Sequence, residues 1–66
     1  MNIFLNGEER HITDKASVHD LLVELGYAGK RLAVELNGDI VPRSAHPDTP
    51  LKEGDRLEIV IAVGGG

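Results

Sequence analysis

Two Asn-Gly dipeptides, Asn6-Gly7 and Asn37-Gly38, each stand between short runs of alternating apolar and polar residues. A two-residue turn that folds one strand back on the next needs positive φ at both central positions, and Asn followed by Gly tolerates this at low steric cost. The chain is thereby committed to two hairpins. Ile3-Phe4-Leu5 turns into a returning strand from Glu8 to Thr13, and Leu32-Ala33-Val34-Glu35-Leu36 turns into Asp39-Ile40-Val41, which Pro42 stops. The flanks of the two turns do not otherwise match, so they read as convergent turn chemistry and not as a repeat. Glu8, Glu9, Arg10 and His11 leave Ile12 as the clear apolar residue of the second strand, the composition of an edge strand protected by charge.

Between the hairpins, Ser17 offers a helix N-cap with Asp20 three residues on. Val18, Leu21, Leu22 and Leu25 then follow at i, i+3, i+4 and i+7 before Gly26 ends the segment, which predicts one helix of about two turns with a single apolar stripe. After the second hairpin, Pro42, Pro47, Ser44, His46, Asp48 and Thr49 predict an ordered but irregular connection from Arg43 to Pro50, with Leu51 pinning it to the core. Glu53-Gly54-Asp55 makes the last turn. Arg56 to Ile61 is the final strand, with Leu57, Ile59 and Ile61 on one face and Glu58, Val60 and Ala62 on the other.

Hairpin, helix, hairpin, crossover and strand give one sheet and one helix, each with one apolar face, so the predicted fold is α+β, a single sheet wrapped on a helix. The expected core is Ile3, Leu5, Ile12, Val18, Leu21, Leu22, Leu25, Leu32, Val34, Leu36, Leu51, Leu57 and Ile59. At 66 residues this is one small domain near the lower limit for a core unaided by disulfide or metal, which makes a deep enclosed active site improbable. Cysteine is absent, so thiolate chemistry, disulfides and cysteine-ligated zinc are excluded. The longest apolar run is five residues, which predicts neither a signal peptide nor a membrane span and points to a soluble cytoplasmic protein. A net charge of −4 opposes a nucleic-acid partner, and Phe4 and Tyr27 are too few for a base-stacking platform.

Directly behind the last strand stand Val63 and the glycines Gly64, Gly65 and Gly66. Without Cβ atoms a glycine end is thin enough to thread a narrow channel, and its terminal carbonyl carbon is open to attack from almost any side. The division expected is a body over residues 1–62 and a flexible tail over 63–66. Fully extended, Val63 to Gly66 span at most ~13–14 Å at ~3.3–3.6 Å per residue, so the body must dock close to any active site that the tail enters.

The whole chain resembles the ubiquitin-like β-grasp sulfur carriers, and within them the ThiS family of thiamine thiazole synthesis. The resemblance is carried by Leu36-Asn37-Gly38-Asp39-Ile40-Val41-Pro42-Arg43, by Leu51-Lys52-Glu53-Gly54-Asp55, and by Ala62-Val63-Gly64-Gly65-Gly66. Two departures are Ala45-His46, where members often carry an aromatic, and Asp20 in place of Glu in the capping box; neither touches the tail. The resemblance implies a four- to five-stranded mixed sheet on one helix, and a protein substrate in place of an enzyme. It implies that a ThiF-like adenylating enzyme uses ATP to activate the Gly66 carboxylate, with no cofactor bound by this chain. A persulfide donor then yields a thiocarboxylate, which a ThiG-like thiazole synthase consumes. Gly65 and Gly64 would thread the tail, and Phe4, Val60, Ala62 and Val63 would form a docking patch, an exposed Phe beside an exposed Val on adjacent strands with Ala33 nearby. The small, MoaD-like subunit of a molybdopterin synthase and a β-grasp interaction module are the alternatives.

His11, His19 and His46 fall on different elements without ligand spacing, so they are read as surface residues and no metal is expected. Glu8-Glu9 on the edge strand and Glu53 and Asp55 around a turn glycine are accounted for by solvation and turn roles. The glycine tail is not a phosphate loop, since no Lys-Ser/Thr and no helix follow it.

Overall fold

The computed structural model describes residues 1–62. Its elements are β1 (Asn2–Leu5), β2 (Glu8–His11), α1 (Val18–Leu25), β3 (Leu32–Leu36), β4 (Asp39–Val41), a 3₁₀ helix (Arg43–Asp48) and β5 (Arg56–Ile61). The strands form one mixed five-stranded sheet in the order β2-β1-β5-β3-β4. Among the described residues only the β1–β5 pairing is parallel; the others are antiparallel. This is the β-grasp arrangement, with the last strand in the centre and the charged β2 at an edge.

Both Asn-Gly turns form as expected, with φ of 51° at Asn6 and Asn37 and of 85° and 90° at Gly7 and Gly38. Asn37 does more than turn. Its amide donates to Arg56 O at 2.8 Å, its Oδ1 accepts from Arg56 N at 3.0 Å, and its Nδ2 donates to Asp55 Oδ1 at 3.0 Å. The tip of the second hairpin is thus fastened to the start of β5.

Helix α1 begins in a reciprocal capping box: Asp20 N donates to Ser17 Oγ at 3.1 Å and Ser17 N donates to Asp20 Oδ2 at 2.9 Å. It ends where Gly26 turns left-handed at φ 78°. Gly26 N reaches Val23 O at 3.0 Å and Tyr27 N reaches Leu22 O at 2.8 Å, the paired bonds of a Schellman ending. The start of α1 is tied to the crossover by Val18 N to Thr49 O and Leu51 N to Ala16 O, both 2.9 Å.

The core is Ile3, Ile12, Ala16, Val18, Leu21, Leu22, Val34, Leu51, Leu57 and Ile59, with Leu5, Leu25, Tyr27, Leu32, Leu36 and Ile61 packed partly exposed around it. Four leucines expected inside are therefore only half-buried, because a chain this small has too little interior for all of them. Three further expectations are corrected. The returning strand of the first hairpin ends at His11, not Thr13. The segment after Pro42 is not irregular: Ala45 N donates to Pro42 O at 2.9 Å and opens a 3₁₀ helix that accommodates Pro47. And His46 is not a surface residue. That helix turns it inward to 5% exposure, where Nε2 lies 3.0 Å from Val41 O; since a carbonyl only accepts, Nε2 carries the proton. No helix among the described residues is long and apolar enough to cross a membrane.

Candidate functional site

Strand β5 connects the body to the glycine end. It is paired to β1 through Phe4↔Arg56 and Leu5↔Leu57, and to β3 in an unbroken register from Leu36↔Leu57 to Leu32↔Ile61. One more bond, Ala62 N to Arg31 O at 2.9 Å, continues the β3 side past the strand end. The backbone is therefore held up to Ala62. Val63, Gly64, Gly65 and Gly66, expected as the reactive and threading residues, lie outside the described residues.

The sheet has one face covered by α1 and one face open. Alternation along β5 puts Leu57 and Ile59 inside and Arg56, Glu58 and Val60 on the open face. Of the expected docking residues, Phe4 is 37% and Val60 68% exposed, and Ala62 and Ala33 are exposed as well. Phe4 and Val60 do occupy adjacent strands of one face, but they are not side by side. Phe4 is level with Arg56, whose guanidinium lies 5.5 Å from the ring centroid. Val60 is four residues further along β5, roughly 13 Å at ~3.3 Å per residue, and is level with Ala33. Between the two stands Glu58, directly opposite Glu35 on β3.

Sequence reasoning missed Ile40, which is 65% exposed on β4 and level with Glu35. The signal was available: in Asp39-Ile40-Val41 only one of the two apolar residues can face the core. The open face thus has an apolar corner of Val60 and Ala33 at the end of β5 that leads to the tail, a middle row in which Glu58 and Glu35 are followed by Ile40 on the edge strand, and the Phe4–Arg56 stack at the far end. Like charges directly opposite disfavour each other, and among the described residues the ion pairs are Met1–Asp14 and Arg10–Glu24, so neither glutamate has one. An apolar corner beside acid suits a protein surface that presents apolar side chains with a basic group. Two carboxyls with depressed pKa lie elsewhere: Asp14, held down first by its hydrogen bond from the N-terminal ammonium, and Asp20, held down first by the Ser17 amide. Among the described residues no three His, Asp or Glu side chains gather as a metal site would require.

Comparison with known proteins gives a consistent picture. Residues 3–66 match the ThiS family. The sulfur carrier protein ThiS of Thermus thermophilus is 38% identical over 64 residues, covering 97% of this chain and 98% of that protein. A thiazole synthase of Paramagnetospirillum magneticum is 44% identical over all 66 residues, and the chain spans 20% of its length. Another thiazole synthase, from Magnetococcus marinus, is matched over 20% of its length as well. The crystal structure of the thiamine biosynthesis protein ThiS of Geobacter metallireducens superposes with a TM-score of 0.85 at 35% identity, covering both chains completely.

Proposed function

We propose, from the premise that this chain belongs to the ThiS family, that it is a sulfur carrier of thiamine biosynthesis and a co-substrate of partner enzymes, acting in the cytoplasm. The observation that carries the reading is the central placement of β5, held on both sides and followed in sequence by Val63 and three glycines.

The terminal α-carboxylate is ionised at neutral pH, with an ordinary pKa of about 3.3–3.7, and as an anion it is a poor electrophile. Attack on ATP by a Gly66 carboxylate oxygen, within an adenylating enzyme, forms an acyl adenylate and releases pyrophosphate. The terminal sulfur of a persulfide then attacks the carbonyl carbon and AMP leaves. Reductive cleavage of the resulting acyl disulfide by a thiol leaves the sulfur on Gly66 as a thiocarboxylate. A thiazole synthase receives that sulfur. In the P. magneticum relative a segment matching this chain makes up a fifth of a protein named thiazole synthase, which supports this acceptor.

Gly64 and Gly65 keep the tail narrow in both partner sites. The open face supplies the grip that the tail lacks, with Val60 and Ala62 at the end of β5 that leads to the tail, Ile40 beside Glu35 in the middle row and Phe4 at the far end. Extending the chain by one alanine after Gly66 tests the reading. Adenylation should be lost while the thermal unfolding midpoint is unchanged, whereas an extended chain that is still adenylated at Gly66 would overturn it.

A further inference from the structure

Between α1, the turn that follows it and the 3₁₀ helix lies a cleft of ≈ 160 Å³. Its lining includes Lys30, Arg43, His19 and His46 and no carboxylate. This runs against the charge of the chain, which has eleven Asp and Glu for seven Lys and Arg. Leu22 and Leu32 form an apolar wall, which lowers the local dielectric and strengthens any charge interaction made against it.

The cations are positioned. Arg43 Nη2 donates to Lys30 O at 2.8 Å, which holds the planar fork against the Lys30 turn and leaves further N–H donors on it. Lys30 Nζ lies 5.9 Å from the centroid of the Tyr27 ring, itself part of the lining. His46 is fixed by its bond to Val41 O.

We propose that this cleft binds a single oxyanion group, phosphate or carboxylate, through charge-assisted hydrogen bonds from Lys30 and Arg43. Two sources share that chemistry. One is phosphate in solution. The other is the carboxylate of Gly66: Leu32 in the cleft wall is paired with Ile61, Ala62 is bonded to Arg31, and the four residues that follow reach ~13–14 Å when extended. The site stands whether or not the carrier reading does.

The test is a titration of the chain with inorganic phosphate, followed through backbone amide NMR shifts. Saturable shifts are expected at Gly29, Lys30, Arg43 and His46, with none at Lys52 on the opposite turn. The affinity should fall at least about tenfold in Lys30→Gln and further in the double variant Lys30→Gln/Arg43→Gln. Lys30→Gln keeps the Arg43–Lys30 backbone bond and decides the matter if the double variant fails to fold. Amidation of the Gly66 carboxylate separates the sources. If it moves the cleft amides and tightens phosphate binding, the resident oxyanion is the chain's own terminus; if it changes neither, the cleft takes phosphate from solution. Shifts that never saturate, that appear equally at Lys52, or that persist at full affinity in the variants would overturn the site.

Discussion

The side chain of Asn6 makes with the backbone of Ile59 the two hydrogen bonds that a strand residue would make: Ile59 N donates to Oδ1 at 2.8 Å and Nδ2 donates to Ile59 O at 3.3 Å. Backbone pairing of β1 with β5 ends with Asn6 N to Leu57 O at 2.8 Å, where the chain turns away. The carboxamide then continues the ladder by one more step toward the end of β5. A residue chosen for its turn conformation thus also steadies the strand that leads to the glycines.

Replacing Asn6 separates these two roles. Asn6→Gly suits the φ of 51° but removes both bonds, and should lower stability by about 1–3 kcal/mol because Ile59 N loses its partner. At ~4–8 °C per kcal/mol for a domain of this size, thermal unfolding should show a clear drop. Asn6→Ala should fall further, since it adds strain at positive φ. Equal stability of Asn6→Gly and the parent would mean that the ladder extension contributes nothing.

Ser17→Ala removes the N-cap acceptor of α1 and should cost about 1 kcal/mol in denaturant unfolding. Asp20 adds a pH dependence of known sign. Its folded-state pKa is lowered, chiefly by the Ser17 amide, so its contribution is present above the unfolded value of about 3.9 and is lost as pH falls through the folded one. The unfolding midpoint should therefore decline on acidification below about pH 4, and Asp20→Asn should flatten part of that decline.

His46→Ala opens a void and strands Val41 O, and should destabilise by about 2 kcal/mol in the same unfolding assay. A surface histidine would cost almost nothing when replaced.

On the open face, Val60→Glu and Ile40→Glu should each weaken binding to the adenylating enzyme by about tenfold or more, measured by calorimetry, with unfolding midpoints near that of the parent. Phe4→Glu should also weaken it, with a smaller effect because its ring is already partly covered by Arg56. Unchanged affinity in all three variants would remove this face from the interface.

Much of the fold was legible because local chemistry and global architecture agree. Asn-Gly turns, the Ser17 cap, the Gly26 ending and the alternation of β5 each name their element without help from the rest of the chain. The register of β1 against β5 was not legible, because it pairs residues more than fifty positions apart and no local signal encodes it. That is why Phe4 and Val60 read as neighbours when Phe4 is level with Arg56 and Glu58 stands between that row and Val60 along β5. The burial of His46 was hidden for a related reason: Pro42 and Pro47 announce an interrupted chain, while the inward turn comes from packing between the 3₁₀ helix and α1.

Gly66 is the residue proposed to carry the sulfur. The direct measurement is intact-protein mass spectrometry with C-terminal fragmentation, after incubation with ATP, the cognate adenylating enzyme and a persulfide donor. Oxidation of Met1 shifts the mass almost equally, so the change must be assigned to a fragment. Replacement of one oxygen by sulfur, confined to fragments that contain Gly66, is the expected result. An unmodified terminus, with an adenylating enzyme shown to be active on its own carrier, would contradict it.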